Sequence, residues 1–345
     1  QSSRSRATMH RMNTGAEQDR QGASSGANGA ADASRPQVLA TGYAALDDRA
    51  RALFDTAFLQ KLEYLRIVSR RAFAGLQPAS RRGLRTGAGL EFAEHRPYAV
   101  GDDFRYLDWA AYGRLDKLLL RLFQQDEDLR IGLMTDTSGS MLTGRPPKVD
   151  FARRLTAALA YVGLANLDRI RVSAWGDGEV RSLRTRRGRG QIYAVLEFLA
   201  SAPLGGGTNL ALAARQFCQH ATERGLVVVV SDFLGGAGHA ESYEEGLALL
   251  DYHGHEVWAL AVESPEDAAP PWQGDVELLD SETGAVRAVR LTPEQVARYQ
   301  ARRREFLHRF DAWTTERGIA HLRATSDADV ADLVLDVFRR GGFIR

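Results

Sequence analysis

Five apolar residues in succession, Leu226-Val-Val-Val-Val230, leave this chain little choice but a strand covered on both faces, because no solvent-facing position survives within the run. Further strands are expected at Leu129–Thr135, Arg171–Trp175, Val257–Val262 and Ile319–Arg323. Between them lie segments with helical apolar spacing: Val149–Leu167, Gln191–Ala200, Leu210–Ala221, Tyr243–Tyr252 and Asp327–Arg339. Strands that alternate with amphipathic helices form a parallel sheet with helices on both faces. The expected class is therefore α/β, a doubly wound and mostly parallel sheet, with Glu179–Arg184 as an edge strand. A hairpin, Val276–Leu279 with Val286–Leu291, turns around Glu282-Thr-Gly284. Thr292-Pro-Glu-Gln295 then opens a long helix with a capping box and a proline in its first turn.

Upstream the character changes. Residues Gln1 to Gln37 are rich in Ser, Ala, Gly and Arg and carry almost no large apolar side chain, so a disordered tail is expected there. Residues 38–128 hold one helix, with Phe58, Leu62, Leu65, Val68 and Phe73 on its apolar stripe, and a small β-rich region containing Lys117–Phe123. Residues 129–345 form the main domain. Arg66, Arg70, Arg71, Arg81, Arg82 and Arg85 form a basic stretch read as a solvated face. No apolar run approaches the ~20 residues of a membrane helix, and no secretory signal opens the sequence, so a cytoplasmic protein is the default. The formal net charge of +1 gives no footprint for nucleic acid. The lone cysteine, Cys218, excludes a disulfide framework and a cysteine-based zinc cluster, and reads as a small buried side chain.

The chemistry concentrates in three places. Asp136-Thr-Ser138-Gly-Ser140 directly follows the strand ending Gly132-Leu-Met-Thr135, and ligands of open α/β sheets collect at the carboxyl ends of strands. Ser138 and Ser140 alternate, so both hydroxyls can point to one spot as the chain turns. Gly205-Gly-Gly207-Thr208-Asn209 offers another hydroxyl on a flexible loop before a helix. Ser231-Asp232 follows the valine-rich strand, again at its carboxyl end. Carboxylates combined with hydroxyls suit a hard cation such as Mg²⁺, or another divalent ion, which takes oxygen ligands and keeps several waters.

Together these residues resemble the metal-ion-dependent adhesion site of von Willebrand factor A domains. The resemblance implies that Ser138, Ser140 and Thr208 bind the cation directly, that Asp136 and Asp232 act through water, and that an open position accepts a carboxylate from a partner protein. A second resemblance rests on Gly89-Leu-Glu-Phe92, His95-Arg-Pro-Tyr98, Gly101-Asp-Asp103, Arg105, Asp108-Trp109, Gly113-Arg114, the Asp136–Met141 stretch and Lys148. These are similar to the signature of the bacterial family called domain of unknown function fifty-eight. It implies a MoxR-type AAA+ ATPase as partner. Within that signature, Asp102, Asp103, Arg105 and Asp108 beside Tyr98, Tyr106 and Trp109 suggest an ion-pair network bracing the β-rich region.

Competing chemistries lack their parts. The sequence around Asp136 is neither an aspartic-peptidase loop nor the Asp-x-Asp of a dehalogenase-type phosphatase. No G-x-S-x-G elbow and no Walker A loop occur. His95, His253 and His255 show no metalloprotease spacing and read as surface or loop residues. Arg181, Arg184, Arg186, Arg187 and Arg189 form a basic run in a loop without interleaved aromatics. Two functions remain. One is a non-enzymatic, metal-dependent adaptor that captures a client's acidic side chain. The other is a Mg²⁺-dependent hydrolase acting on a phosphate or peptide, for which no general base is recognisable near the motif.

Overall fold

A computed structural model describes residues 43, 45–75, 82–86, 91–126, 130–176, 178–221, 223–235, 242–282 and 284–340. The expectation for residues 1–37 and the side chains from Arg70 to Arg85 lie outside the described residues.

Two helices come first, α1 (Asp48–Leu53) and α2 (Thr56–Gly75), each opened by an aspartate: Asp47 accepts from the Ala50 N–H and Asp55 from the Phe58 N–H. The strands β1 (Arg82–Thr86) and β2 (Glu91–Pro97), the helix α3 (Trp109–Leu115) and the strand β3 (Leu119–Asp126) follow. They build an antiparallel sheet of order β1-β3-β2. Asp108 organises this region. It caps α3 by accepting from the Ala111 N–H at 2.9 Å, while His95 of β2 and Arg121 of β3 reach it at 2.8 and 2.9 Å. The Arg121 guanidinium, the Ala111 amide and the His95 ring hold its carboxyl far below the usual carboxylate range. Arg96 pairs with Asp102, while Arg105 and Asp103 make a local, exposed pair, so of the expected buried or half-buried network it is Asp108, with Arg121 and His95, that braces the region. His95 is exposed, as a surface residue should be, and ties a strand to a helix cap.

The main domain is β4 (Arg130–Asp136), α4 (Lys148–Ala165), β5 (Arg169–Gly176), β6 (Glu179–Arg184), α5 (Ile192–Ala200), α6 (Leu210–His220), β7 (Leu226–Ser231), α7 (Ser242–Tyr252), β8 (Glu256–Glu263), α8 (Pro265–Ala268), β9 (Gly274–Leu279), β10 (Val286–Leu291), α9 (Pro293–Glu316), β11 (Ala320–Thr325) and α10 (Val330–Arg340). The six-stranded sheet has the order β11-β8-β7-β4-β5-β6, parallel throughout except for the antiparallel edge strand β6. The valine run of β7 alternates between two cores, as period-2 geometry requires. Val228 and Val230 face α4, α5 and α10, whereas Val227 and Val229 face α6, α7 and α9. Phe54, Leu62 and Leu65 of the N-terminal segment join the first of these cores. The composition shift at residue 129 thus marks where alternation begins, while α2 packs with the helices that follow it.

The basic run from Arg181 to Arg189 is not confined to a loop: Arg181 and Arg184 lie on β6. His255 also departs from expectation. It is buried, stacked edge-on against Phe217 at 5.7 Å, and burial lowers its pKa. Cys218 is buried, as a small apolar-like side chain should be. No described helix is long and apolar enough to cross a membrane.

Candidate functional site

The strand order reverses between β4, which continues to β5, and β7, which lies on its other side. At such a switch point the loops diverge and leave a crevice beyond the carboxyl ends of the strands. Asp136 ends β4, and Asp232 directly follows β7. Both are buried at that edge.

The Asp136 loop closes on itself: Asp136 Oδ1 accepts the Ser138 N–H at 2.9 Å. This turns Ser138 Oγ to within 3.2 Å of Ser140 Oγ. The glycine loop is tied to it by a reciprocal pair of backbone bonds, Gly139 N–H to the Gly206 carbonyl and Gly205 N–H to the Thr137 carbonyl, both 2.9 Å. Gly205 and Gly206 adopt φ of +99° and +64°, which glycine tolerates without strain. The result delivers Thr208 Oγ1 to Asp136 Oδ2 at 3.1 Å, while the indole N–H of Trp175 donates to the same hydroxyl at 3.1 Å. From β7, Ser231 Oγ donates to Asp136 Oδ2 at 2.6 Å. Asp232 completes the group from the neighbouring strand end. The structure therefore brings all five sequence-picked residues, Asp136, Ser138, Ser140, Thr208 and Asp232, to one place.

Electrostatics make the place unusual. Asp136 takes hydrogen bonds from neutral groups, and burial followed by repulsion from Asp232 pushes its pKa up to about 6. Asp232 meets a buried cation: Lys148 Nζ lies 2.8 Å from its Oδ2 and 3.4 Å from Asp267 Oδ2. Burial works against the Lys148 charge, yet Asp232 and Asp267 more than offset it and its pKa is raised. A lysine in the first turn of a helix opposes the helix dipole, so its place at the start of α4 depends on these carboxylates. Three hydroxyls, one uncompensated buried carboxylate and a second held by Lys148 form an all-oxygen donor set with an excess of negative charge. That set fits a small hard divalent cation. Among the described residues no three His, Cys, Asp or Glu side chains gather as a charged cage, so such a cation would depend on the hydroxyls.

Four contributors escaped the sequence reading. In the sequence Ser231 stands out only through its neighbour Asp232, and Lys148 only as part of a signature. Trp175, at the end of β5, occupies the same sheet edge as Asp136, a position that could have flagged it. Glu282 had no readable signal. It sits at the tip of the β9–β10 hairpin, which folds over this edge: a Cβ added to Gly139 would lie 2.1 Å from the Ser281 carbonyl oxygen. A cavity of about 390 Å³ lies at the opposite sheet edge, lined by Arg130, Arg169, Arg171, Arg184, His220 and His255. It is remote from the cluster.

The strand order, with its single antiparallel edge, and the carboxyl-edge loops define a von Willebrand factor A-like domain. More specifically, the chain belongs to the family described as Protein of unknown function DUF58, whose model matches residues 94–309. An uncharacterized protein of Mycobacterium tuberculosis is 30% identical over 294 residues, covering 83% of this chain and 90% of that one. An uncharacterized Mycobacterium avium protein is 33% identical over 155 residues, 43% of this chain and 88% of its own length. Among solved structures, the conserved hypothetical protein BatB from Bacteroides thetaiotaomicron aligns with 15% identity and a TM-score of 0.38, over 62% of this chain and 98% of its own. The manganese-loaded Plasmodium vivax TRAP protein aligns with 17% identity and a TM-score of 0.31, over 39% of this chain and 57% of its own.

Proposed function

We propose that this protein is a divalent-cation-dependent adaptor that captures an acidic side chain of a client protein, without catalysing a reaction, and works with a MoxR-type AAA+ ATPase. The observation that carries the reading is the gathering of the Ser138 and Thr208 hydroxyls at Asp136, with Ser140 Oγ beside Ser138 Oγ, at the switch point of the sheet. Those hydroxyls would hold Mg²⁺, with Asp136 and Asp232 supplying charge around it. The ion, when bound, supplies a Lewis-acidic position for an incoming carboxylate. This chain's residues do the rest. Trp175 and Ser231 orient Thr208 and Asp136, and Lys148 reduces the negative charge that would otherwise repel an acidic partner. Few charges in direct contact keep the ion electrophilic, which favours binding a carboxylate over neutral groups.

The test is affinity capture of a MoxR-type AAA+ ATPase, with wild type and Asp136→Ala side by side, each with Mg²⁺ or EDTA. Capture is expected from wild type with Mg²⁺ alone. Capture indifferent to both the substitution and EDTA would remove the adaptor mechanism. One feature favours the hydrolytic alternative: Glu282, an ionisable residue beyond Asp136 and Asp232, approaches the site. Lys148 approaches too, but its ion pairs keep it protonated and unsuited to act as a base. Mg²⁺-dependent phosphate release or peptide cleavage that Glu282→Gln abolishes would establish the alternative.

A further inference from the structure

The β9–β10 hairpin is not part of the main sheet, since its two strands pair only with each other. Its tip is nevertheless held firmly over the cation-type site. Asp280 builds the turn: its N–H donates to the Ala285 carbonyl, its carbonyl accepts from Gly284, and its Oδ1 accepts the Glu282 N–H at 2.9 Å. The adjoining Ser281 carbonyl packs on the Cα of Gly139, in the middle of the Asp136–Ser140 loop. This placement brings Glu282 against the glycine loop. Its Oε2 lies 3.9 Å from where a Cβ on Gly207 would stand, and the Thr208 backbone donates to the carboxylate. Partly buried against the glycine loop, beside the residue whose hydroxyl completes the donor set and with Asp232 and Asp280 as like-charged neighbours, this carboxylate gains from a cation that shares the space.

We propose that Glu282 is the site's own resident carboxylate: carried in by the hairpin tip, it supports the cation and must be displaced by an incoming acidic side chain. The inference rests on the cation reading above and adds an internal competitor to it. Two effects of opposite sign follow. Removing the Glu282 charge weakens the cation, because affinity follows the charge around the ion. It strengthens an entering carboxylate, because a like charge within a few ångströms has gone. Glu282→Gln isolates the charge, since the amide oxygen can still accept from the Thr208 N–H.

The experiment uses the full chain with Mn²⁺ as the metal probe and acetate as the carboxylate probe. Mn²⁺ affinity is read by calorimetry, and acetate binding to the Mn²⁺-loaded protein by water-proton relaxation. Glu282→Gln is expected to raise the Mn²⁺ Kd by roughly 3- to 10-fold and to lower the acetate Kd by about 10-fold. Glu282→Ala, which also loses the Thr208 contact, should move both values in the same directions, with far-UV circular dichroism confirming the fold. If Glu282→Gln changes neither value, the tip is only packing and the inference is overturned while the cation reading stands. If wild type fails to bind Mn²⁺, or binds it as well after Asp136→Ala, the cation reading itself falls and this inference with it.

Discussion

Replacing Lys148 by Met tests whether the charge arithmetic of the site is right. The side chains of Lys148 and Asp232 are 1% and 2% exposed and 2.8 Å apart. At an effective dielectric constant of ~20, that separation corresponds to about 6 kcal/mol of gross attraction. Much of it offsets the desolvation of both groups. Methionine matches the lysine stem in shape but leaves Asp232 buried without its partner, beside Asp136, and such half-broken buried pairs cost about 3–5 kcal/mol. Urea denaturation followed by circular dichroism should show a loss of that size, equivalent to a Tm drop of roughly 4–7 °C for a chain of this length. The double variant Lys148→Met/Asp232→Asn removes both charges and should regain at least ~2 kcal/mol relative to the single variant. Added Mg²⁺ should stabilise the single variant more than it stabilises wild type, because the ion takes over the neutralisation of Asp232. A loss below about 1 kcal/mol would mean that the pair behaves like a solvated one, and the reasoning would be refuted. So would a Mg²⁺ effect equal in both proteins.

Other outcomes follow from single contacts. Asp108 is held in its ionised form by Arg121, the Ala111 amide and His95, so its stabilisation is complete above the unfolded value of ~4 and drains away as pH falls toward its lower folded value. The protection factor of the Ala111 region in hydrogen exchange, taken relative to the intrinsic rate at each pH, should therefore fall in acid for wild type. In Asp108→Asn it should already be low at neutral pH; protection at pH 7 equal to wild type would contradict the assigned role. Gly139→Ala places a methyl 2.1 Å from the Ser281 carbonyl oxygen and must push the hairpin tip away. Glutamyl endopeptidase should then cut after Glu282 faster than in wild type, and an unchanged rate would show that the tip is not seated there. Thr292→Ala removes the hydroxyl that accepts the Gln295 N–H in the capping box of α9. A loss of about 1 kcal/mol in thermal or urea unfolding is expected, and no loss would mean that this helix start is held by its packing alone.

Most of the architecture was legible because its signals are local. The valine run, the strand-helix alternation and the Thr292-Pro-Glu-Gln295 start each state their structure within a few residues, and β6 and β10 begin and end where the pattern placed them. The short helices α1 and α3 were not seen. Each is about two turns or less and is fixed by an aspartate cap rather than by apolar periodicity. The five site residues were readable because strand ends and a glycine loop recur in fixed order. Lys148 and Glu282 were not, for a physical reason: one is 84 residues and the other 50 residues from Asp232, on a helix and on a separate hairpin, and only the tertiary packing of those elements brings them near it. His255 was misjudged because its glycine neighbour looked loop-like, whereas the strand it precedes carries it under Phe217.

The setting of α4 has an evolutionary consequence. Apart from Asp150, Arg154 and Ala165, every residue from Lys148 to Ala165 is buried, and Gly163 meets the side chains of Ile170 and Ile131 so closely that even a methyl would collide. A helix enclosed around its whole girth has almost no silent positions. Sequence drift in this protein should accordingly spare α4 and accumulate along α9, where Phe310 and Thr314 are the only buried side chains of a 24-residue helix.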